Sequence, residues 1–201
     1  SWLNDCSTVD GWDSLTLENT ILESDGNSIY PSAATIDCEG YYWAQVTADK
    51  TLDIEGDFEC NISISIPDLS LSAGQYMYLD TFIRLVGNTG GGKYMGIYYE
   101  IHDGETPYLL ILWGHNYDEY IPVTFPFSGV VQFKRVDNLV TIGLDDALLY
   151  QEVNSTGFTV DLFTVDWWAS SESGSFNAWG ESAPKITDIS INVDLPLQTG
   201  K

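Results

Sequence analysis

The segment Phe58-Glu59-Cys60-Asn61-Ile62-Ser63-Ile64-Ser65-Ile66 alternates apolar and polar side chains without a slip. Successive side chains of a strand point to opposite faces. The pattern therefore sends Phe58, Cys60, Ile62, Ile64 and Ile66 to one side and Glu59, Asn61, Ser63 and Ser65 to the other. A helix would scatter the same residues around its circumference. Pro67 follows, and its missing N–H ends the ladder. Comparable runs predict strands at Tyr76–Leu85, Lys93–Ile101, Tyr108–Trp113, Val130–Val136, Leu139–Leu144, Phe158–Trp168 and Ile186–Val193. Asp25-Gly26-Asn27, the glycine run 87–92, Asp103-Gly104 and Ser171–Gly174 supply turns between runs. Short strands, Gly-rich turns and no helical period predict an all-β antiparallel sandwich or barrel. The 201 residues suit a single domain spanning 1–201. The stretch Ser170–Gly180 reads as the longest polar loop.

Hydrophobic residues make up 44% of the chain, enough for a sizeable core. Thirty Asp and Glu stand against seven Lys and Arg, a formal net charge of -23. Such a surface repels phosphates and anionic headgroups, so nucleic acid and membrane insertion are excluded as partners. A polyanionic glycan is disfavoured for the same reason unless a cation intervenes. The acidity fits a solvated extracellular surface or carboxylates gathered around Ca²⁺. No signal peptide or transmembrane run is present in the sequence given, and the start at Ser1 reads as that of a processed protein or an excised domain. The sequons at Asn61 and Asn154 matter only in a eukaryotic source. Cys6, Cys38 and Cys60 are odd in number, so at least one thiol is unpaired within the chain. Cys6 and Cys38 both flank turns near the start and are the expected disulfide. Cys60, in phase with an apolar face, is expected as a buried thiol.

Several segments together resemble the concanavalin A-like lectin/glucanase superfamily, its laminin G-like members in particular. Leu3-Asn4-Asp5-Cys6-Ser7-Thr8-Val9-Asp10-Gly11-Trp12 resembles their opening, which closes on Gly-Trp. Ile54-Glu55-Gly56-Asp57-Phe58-Glu59-Cys60 resembles their Gly-Asp-Phe turn into a long strand. Val131 through Ile142, with Arg135-Val136-Asp137-Asn138 at its tip, resembles their Arg-x-(Gly/Asp)-Asn hairpin, followed here by Asp145-Asp146. Lys185-Ile186-Thr187-Asp188-Ile189-Ser190-Ile191 is similar to the terminal strand that pairs beside the first. The resemblance implies a two-sheet antiparallel jelly-roll sandwich. It hardly constrains function, because this fold hosts lectins, glycosidases, lyases, adhesins and virion proteins.

Within that superfamily, Glu55-x-Asp57-x-Glu59 is similar to the Glu-x-Asp-x-Glu strand of retaining β-glucanases. The analogy implies Glu55 as nucleophile, Glu59 as general acid/base and Asp57 as the residue tuning them. Gly56 departs from the pattern, marking a turn that takes Glu55 out of line. Polysaccharide lyases of this fold imply a Tyr and a His near an Arg. Tyr99, His102 and Arg84 match in type, while the negative charge opposes a uronate substrate. Laminin G-like and legume-lectin relatives imply Ca²⁺, with candidate donors Asp5, Asp10, Asp13, Asp37, Asp145 and Asp188, and Asp5 and Asp188 foremost. No EF-hand loop organises them.

Aromatic residues make up 13% of the chain. Sugar sites pair aromatic platforms, which meet C–H faces, with Asp, Asn and His acceptors for hydroxyls. Trp113, His115, Asn116, Tyr117, Trp168 and Trp179 form the candidate rim on that ground. Trp167 and Trp168 are adjacent in a strand, so one faces the core and the other faces out. The leading reading is a non-catalytic glycan-recognition module, acting extracellularly on a surface polymer, a cell surface or a virion. Two alternatives stand beside it. One is a structural or adhesive domain contacting neighbouring subunits; the other is a glycoside hydrolase using Glu55 and Glu59.

Overall fold

The computed structural model describes residues 1–40, 42–69, 77–87, 94–102, 104–114, 117–153 and 159–193. Its first strands are β1 (Trp2–Asn4), β2 (Ser14–Glu18), β3 (Leu22–Ser24), β4 (Ile29–Pro31), β5 (Ala34–Asp37) and β6 (Trp43–Ile54). The middle of the chain supplies β7 (Phe58–Ile66), β8 (Met77–Val86), β9 (Tyr94–His102), β10 (Tyr108–Trp113), β11 (Tyr117–Ile121) and β12 (Phe127–Val136). It closes with β13 (Leu139–Leu144), β14 (Ala147–Val153), β15 (Val160–Ser171), β16 (Ser175–Ala178) and β17 (Lys185–Val193). A single 3₁₀ turn, Gly180–Ser182, is the only helical element among the described residues.

Two antiparallel sheets carry the fold. The first runs β14-β13-β12-β7-β17-β4-β3, with β1 also on β17, and the second runs β11-β10-β9-β8-β15-β6-β2. A small β16-β5 ribbon stands apart. In each sheet early and late strands interleave: β7 lies between β12 and β17, and β15 lies between β6 and β8. The alternation predicted a sandwich or barrel, and the arrangement is the two-sheet jelly-roll sandwich that the resemblance implied. The last strand does pair beside the first, with Trp2 opposite Ile191.

The core sits between the sheets. Phe58, Cys60, Ile62, Ile64 and Ile66 of β7 are all buried, as are Met77, Leu79, Ile83 and Leu85 of β8. Trp167 is fully buried, and its indole N–H donates to the Pro184 carbonyl at 2.9 Å. Each such side chain contributes about 1.5–3 kcal/mol of burial free energy. Asp145 and Asp146 have φ of 48° and 64°, which makes the β13–β14 connection a tight turn of the kind that matches strand twist.

Two expectations are corrected. Residues 170–180 are not one loop: β15 continues to Ser171, and Ser175–Ala178 pairs with β5. The Cys6–Cys38 disulfide is absent, and all three cysteines are free thiols. Cys6 is buried against Asn4, whose carbonyl accepts its thiol, whereas Cys38 is exposed at the end of the β5 ribbon and bonds Gly174 through its backbone. The two thus belong to different parts of the fold. Cys60 is buried, as its phase required.

Candidate functional site

The outward face of the seven-stranded sheet is built by the residues that alternate with the core. On β8 these are Tyr78, Asp80, Phe82 and Arg84; on β9 they are Tyr94, Gly96, Tyr98, Glu100 and His102. Register places Asp80 opposite Glu100 on one side and Trp168 of β15 on the other. Tyr78 lies opposite His102, and Glu100 opposite Tyr108 of β10. Beyond β15, Gln45 and Thr47 of β6 both donate to Asp166 Oδ1, at 2.9 and 2.8 Å.

Aromatic rings cover much of this face. Trp43 and Trp168 stack with centroids 5.1 Å apart and planes 11° from parallel. Phe82 meets Tyr94 and Tyr98 edge-on, each at 5.6 Å. Tyr78 abuts the His102 ring at 4.6 Å, and Tyr108 meets Tyr120 at 5.2 Å. Gly96 makes room for this layer, since a Cβ there would lie 2.8 Å from the Phe82 ring.

A polar cluster lies in the middle. Asp80, Glu100 and His102 each bring a ligand atom to within 4.8 Å of the others, the only such trio of His, Cys, Asp or Glu among the described residues. Tyr108 donates to Glu100 Oε2 at 2.5 Å, and His102 Nε2 contacts Glu100 Oε1. Burial pushes the Asp80 carboxyl up to about 7; the Tyr98 hydrogen bond and His102 oppose this rise, while Glu100 and Asp166 add to it. Burial beside the same carboxylates raises the Tyr98 and Tyr108 hydroxyls, so both stay protonated donors at neutral pH.

The sequence-predicted sites fare unevenly. Of the candidate rim, Trp168 lies on this face. Trp113 points inward, buried and tilted against Tyr150, because it shares the inward phase of Leu109 and Ile111. Trp179 is likewise buried, at 7% exposure, so neither indole is a rim residue. His115 and Asn116 lie outside the described residues, as does the side chain of Tyr117. Glu55 and Asp57 sit in the turn between β6 and β7, where the Glu55 carbonyl accepts from Arg135 and Asp57 Oδ1 accepts the Asp137 N–H at 2.9 Å. Glu59 belongs to the other sheet, and its hydrogen bond from Asn61, with Lys134 at 3.2 Å, holds its carboxyl below the usual range. The three acids thus do not form one row on a strand, and the carboxylate meant to donate a proton is held ionised.

Of the proposed calcium donors, Asp5, Asp10 and Asp188 line one open pocket with Trp2, Asn4 and Gly11, without converging as a ligand trio. Asp13 and Asp145 are spent on the fold: Asp13 takes Lys50 and the Thr51 N–H, and Asp145 takes the Val130 N–H. Asp37 accepts the Glu39 N–H. From the lyase analogy, Tyr99 is a core residue at 2% exposure and cannot reach a substrate; His102 and Arg84 do face out. Sequence reasoning missed Trp43, Asp80, Tyr98, Glu100 and Tyr108 as residues of this face. The usable signal was phase: each lies out of step with the buried residues of its strand.

No protein-family model and no curated protein sequence matches the chain. Solved structures do. The CBM2 module of the evolved Dit of Lactobacillus casei BL23 phage J-1 superposes with a TM-score of 0.62 at 12% identity, covering 96% of each chain. A Bacteroides ovatus mixed-linkage glucan GH16 protein, in complex with a G4G4G3G product, gives 0.55 at 12% identity over 95% of this chain and 99% of that one. A pseudo beta-1,3-glucanase of Mycobacterium tuberculosis gives 0.57 at 12% identity over 95% and 97%. The fold is a two-sheet antiparallel jelly-roll sandwich. At such identities the likeness extends to the fold and no further.

Proposed function

We propose that this domain is a non-catalytic carbohydrate-recognition module, acting extracellularly or on a cell or virion surface. Its site is the outward face of the seven-stranded sheet. The observation that carries this reading is the parallel Trp43–Trp168 stack, set one strand from Asp80 and its partner Glu100. Indole faces offer apolar area to sugar C–H groups, and carboxylates and tyrosine hydroxyls select hydroxyl positions. A face carrying Asp80, Glu100 and Asp166 favours neutral glycans over uronates or sulfated chains. Several structural neighbours bear carbohydrate-related names, among them the phage CBM2 module and the GH16 protein with its glucan product. The laminin G-like subtype goes with this reading, since Gly56-Asp57-Phe58 does turn the chain into β7.

Cleavage is the competing reading, and Asp80 beside Glu100 is the pair that would carry it. Against it, Asp80 Oδ1 is shielded from solvent, where a leaving group could not reach it.

The test is binding to a panel of neutral soluble glucans and mannans, read by affinity electrophoresis and by chromatography of the glycan afterwards. The expected result is retardation on at least one glycan, weakened tenfold or more by Trp168→Ala, with the glycan recovered intact. No retardation on any neutral glycan, or retardation indifferent to Trp168→Ala, refutes the proposed face. Shortened products that vanish in Asp80→Asn would establish the hydrolase instead.

A further inference from the structure

Asp80 and Glu100 are cross-strand neighbours with like formal charge, an arrangement that costs stability on an exposed sheet and more when half-buried. The Asp80 Oδ1 atom is shielded from solvent and has no hydrogen-bond partner among the described residues. A buried acceptor left in that state calls for an explanation. His102 stands two residues beyond Glu100 on the same face, and the ligand atoms of all three residues lie within 4.8 Å of one another.

Each of the three also has a partner on its outer side. The Tyr98 hydroxyl bonds the Asp80 carboxyl. Tyr108 holds Glu100 by Oε2, which leaves Oε1 facing His102 Nε2. His102 Nδ1 faces the Glu105 carboxylate, 3.8 Å away. Outer groups that flank two carboxylates and an imidazole, so that its far nitrogen and their inner oxygens come together, with Nε2 already in contact with Glu100 Oε1, are the surroundings that metal ligands have.

We propose that Asp80, Glu100 and His102 form a binding site for a divalent transition-metal cation of the Zn²⁺ or Mn²⁺ kind. One imidazole nitrogen with two carboxylate oxygens suits such ions, whereas Ca²⁺ demands six to eight oxygen donors. Three protein ligands leave coordination positions for water, and the site borders Trp168, so a sugar hydroxyl on the same face could take one of them. The proposal does not rest on glycan binding and is tested without any glycan.

The chelator-stripped protein is titrated calorimetrically with ZnCl₂, MnCl₂ and CaCl₂, and with CoCl₂ followed by visible absorption. One equivalent of Zn²⁺ or Mn²⁺ is expected, Ca²⁺ at least tenfold weaker, and Co²⁺ bands in the visible range. His102→Gln and Asp80→Asn should each weaken Zn²⁺ tenfold or more and abolish the Co²⁺ bands. Asp5→Asn with Asp188→Asn should leave both unchanged. Circular dichroism of each variant establishes that the fold persists. Should Asp80→Asn fail to fold, the half-exposed His102 decides the matter. No binding of either transition ion at millimolar concentration, equal binding by wild type and His102→Gln, or loss only in the Asp5/Asp188 variant overturns the proposal.

Discussion

Replacing Asp80 by Asn should make the metal-free protein more stable at high pH and leave it nearly unchanged at low pH. In the fold the Asp80 carboxyl titrates at about 7, against 3.8 for an ordinary aspartate, because burial beside Glu100 penalises its charged form. The native state therefore binds this proton more tightly than the unfolded chain does. Its stabilisation is complete below about pH 4, erodes as pH rises towards 7, and is flat above that. Each unit in that window is worth about 1.4 kcal/mol, so wild type should lose roughly 2–3 kcal/mol through Asp80 between pH 5 and pH 8. The substituted amide carries no proton to lose, and its oxygen can still accept from Tyr98. Urea unfolding measured with chelator at pH 5, 6, 7 and 8 should therefore show the difference between the two proteins widening by that amount from pH 5 to pH 8. The variant should be the more stable at the upper end. A constant gap across the series, or a variant that is the less stable at pH 8, would refute the assignment of a buried, proton-holding acid at this position.

Two further outcomes test the core and the face. Native protein should react with a thiol reagent at one cysteine, the exposed Cys38, and at three once unfolded. Burial, with Asp188 and Asp5 nearby, pushes the Cys6 thiol up to about 12, and burial alone raises Cys60 still further. Fast native reaction at two or three sites would contradict the placement of Cys6 and Cys60. Gly96→Ala should cost roughly 1–3 kcal/mol in urea unfolding, because the new methyl would meet the Phe82 ring at 2.8 Å and the Ile83 carbonyl at 2.9 Å. An unchanged midpoint would show that Phe82 does not lie across this glycine.

Much of the second half of the chain was legible because its strands alternate large apolar residues with polar ones. The predicted Leu139–Leu144 and Tyr108–Trp113 match β13 and β10 at both ends. The first half was harder. β6 runs from Trp43 to Ile54, yet its inward residues at the start are Ala44, Val46 and Ala48, too small to mark a face. β1, β3 and β4 are three residues each, shorter than any periodic signal. Among the candidate aromatics, the reading that one of Trp167 and Trp168 is core and the other outward holds. Composition drew attention to Trp113 and Trp179, which the core claims because tryptophan buries more apolar area than most residues.

The sequence by itself determined the phases of the strands that alternate large apolar residues with polar ones, such as β7, and with them which side of those strands meets the core. It also determined the acidity of the surface, since charge needs no fold to be counted. Which outward residues become neighbours was decided by tertiary structure alone. Trp43 and Trp168 are far apart in the chain, and Asp80 is separated from Glu100 by a strand and a connection; antiparallel pairing of β6, β8 and β9 around β15 and one another brings them onto one surface. Alternation along a strand is a local property of the backbone, whereas strand order and register follow from how two whole sheets bury their apolar faces against each other.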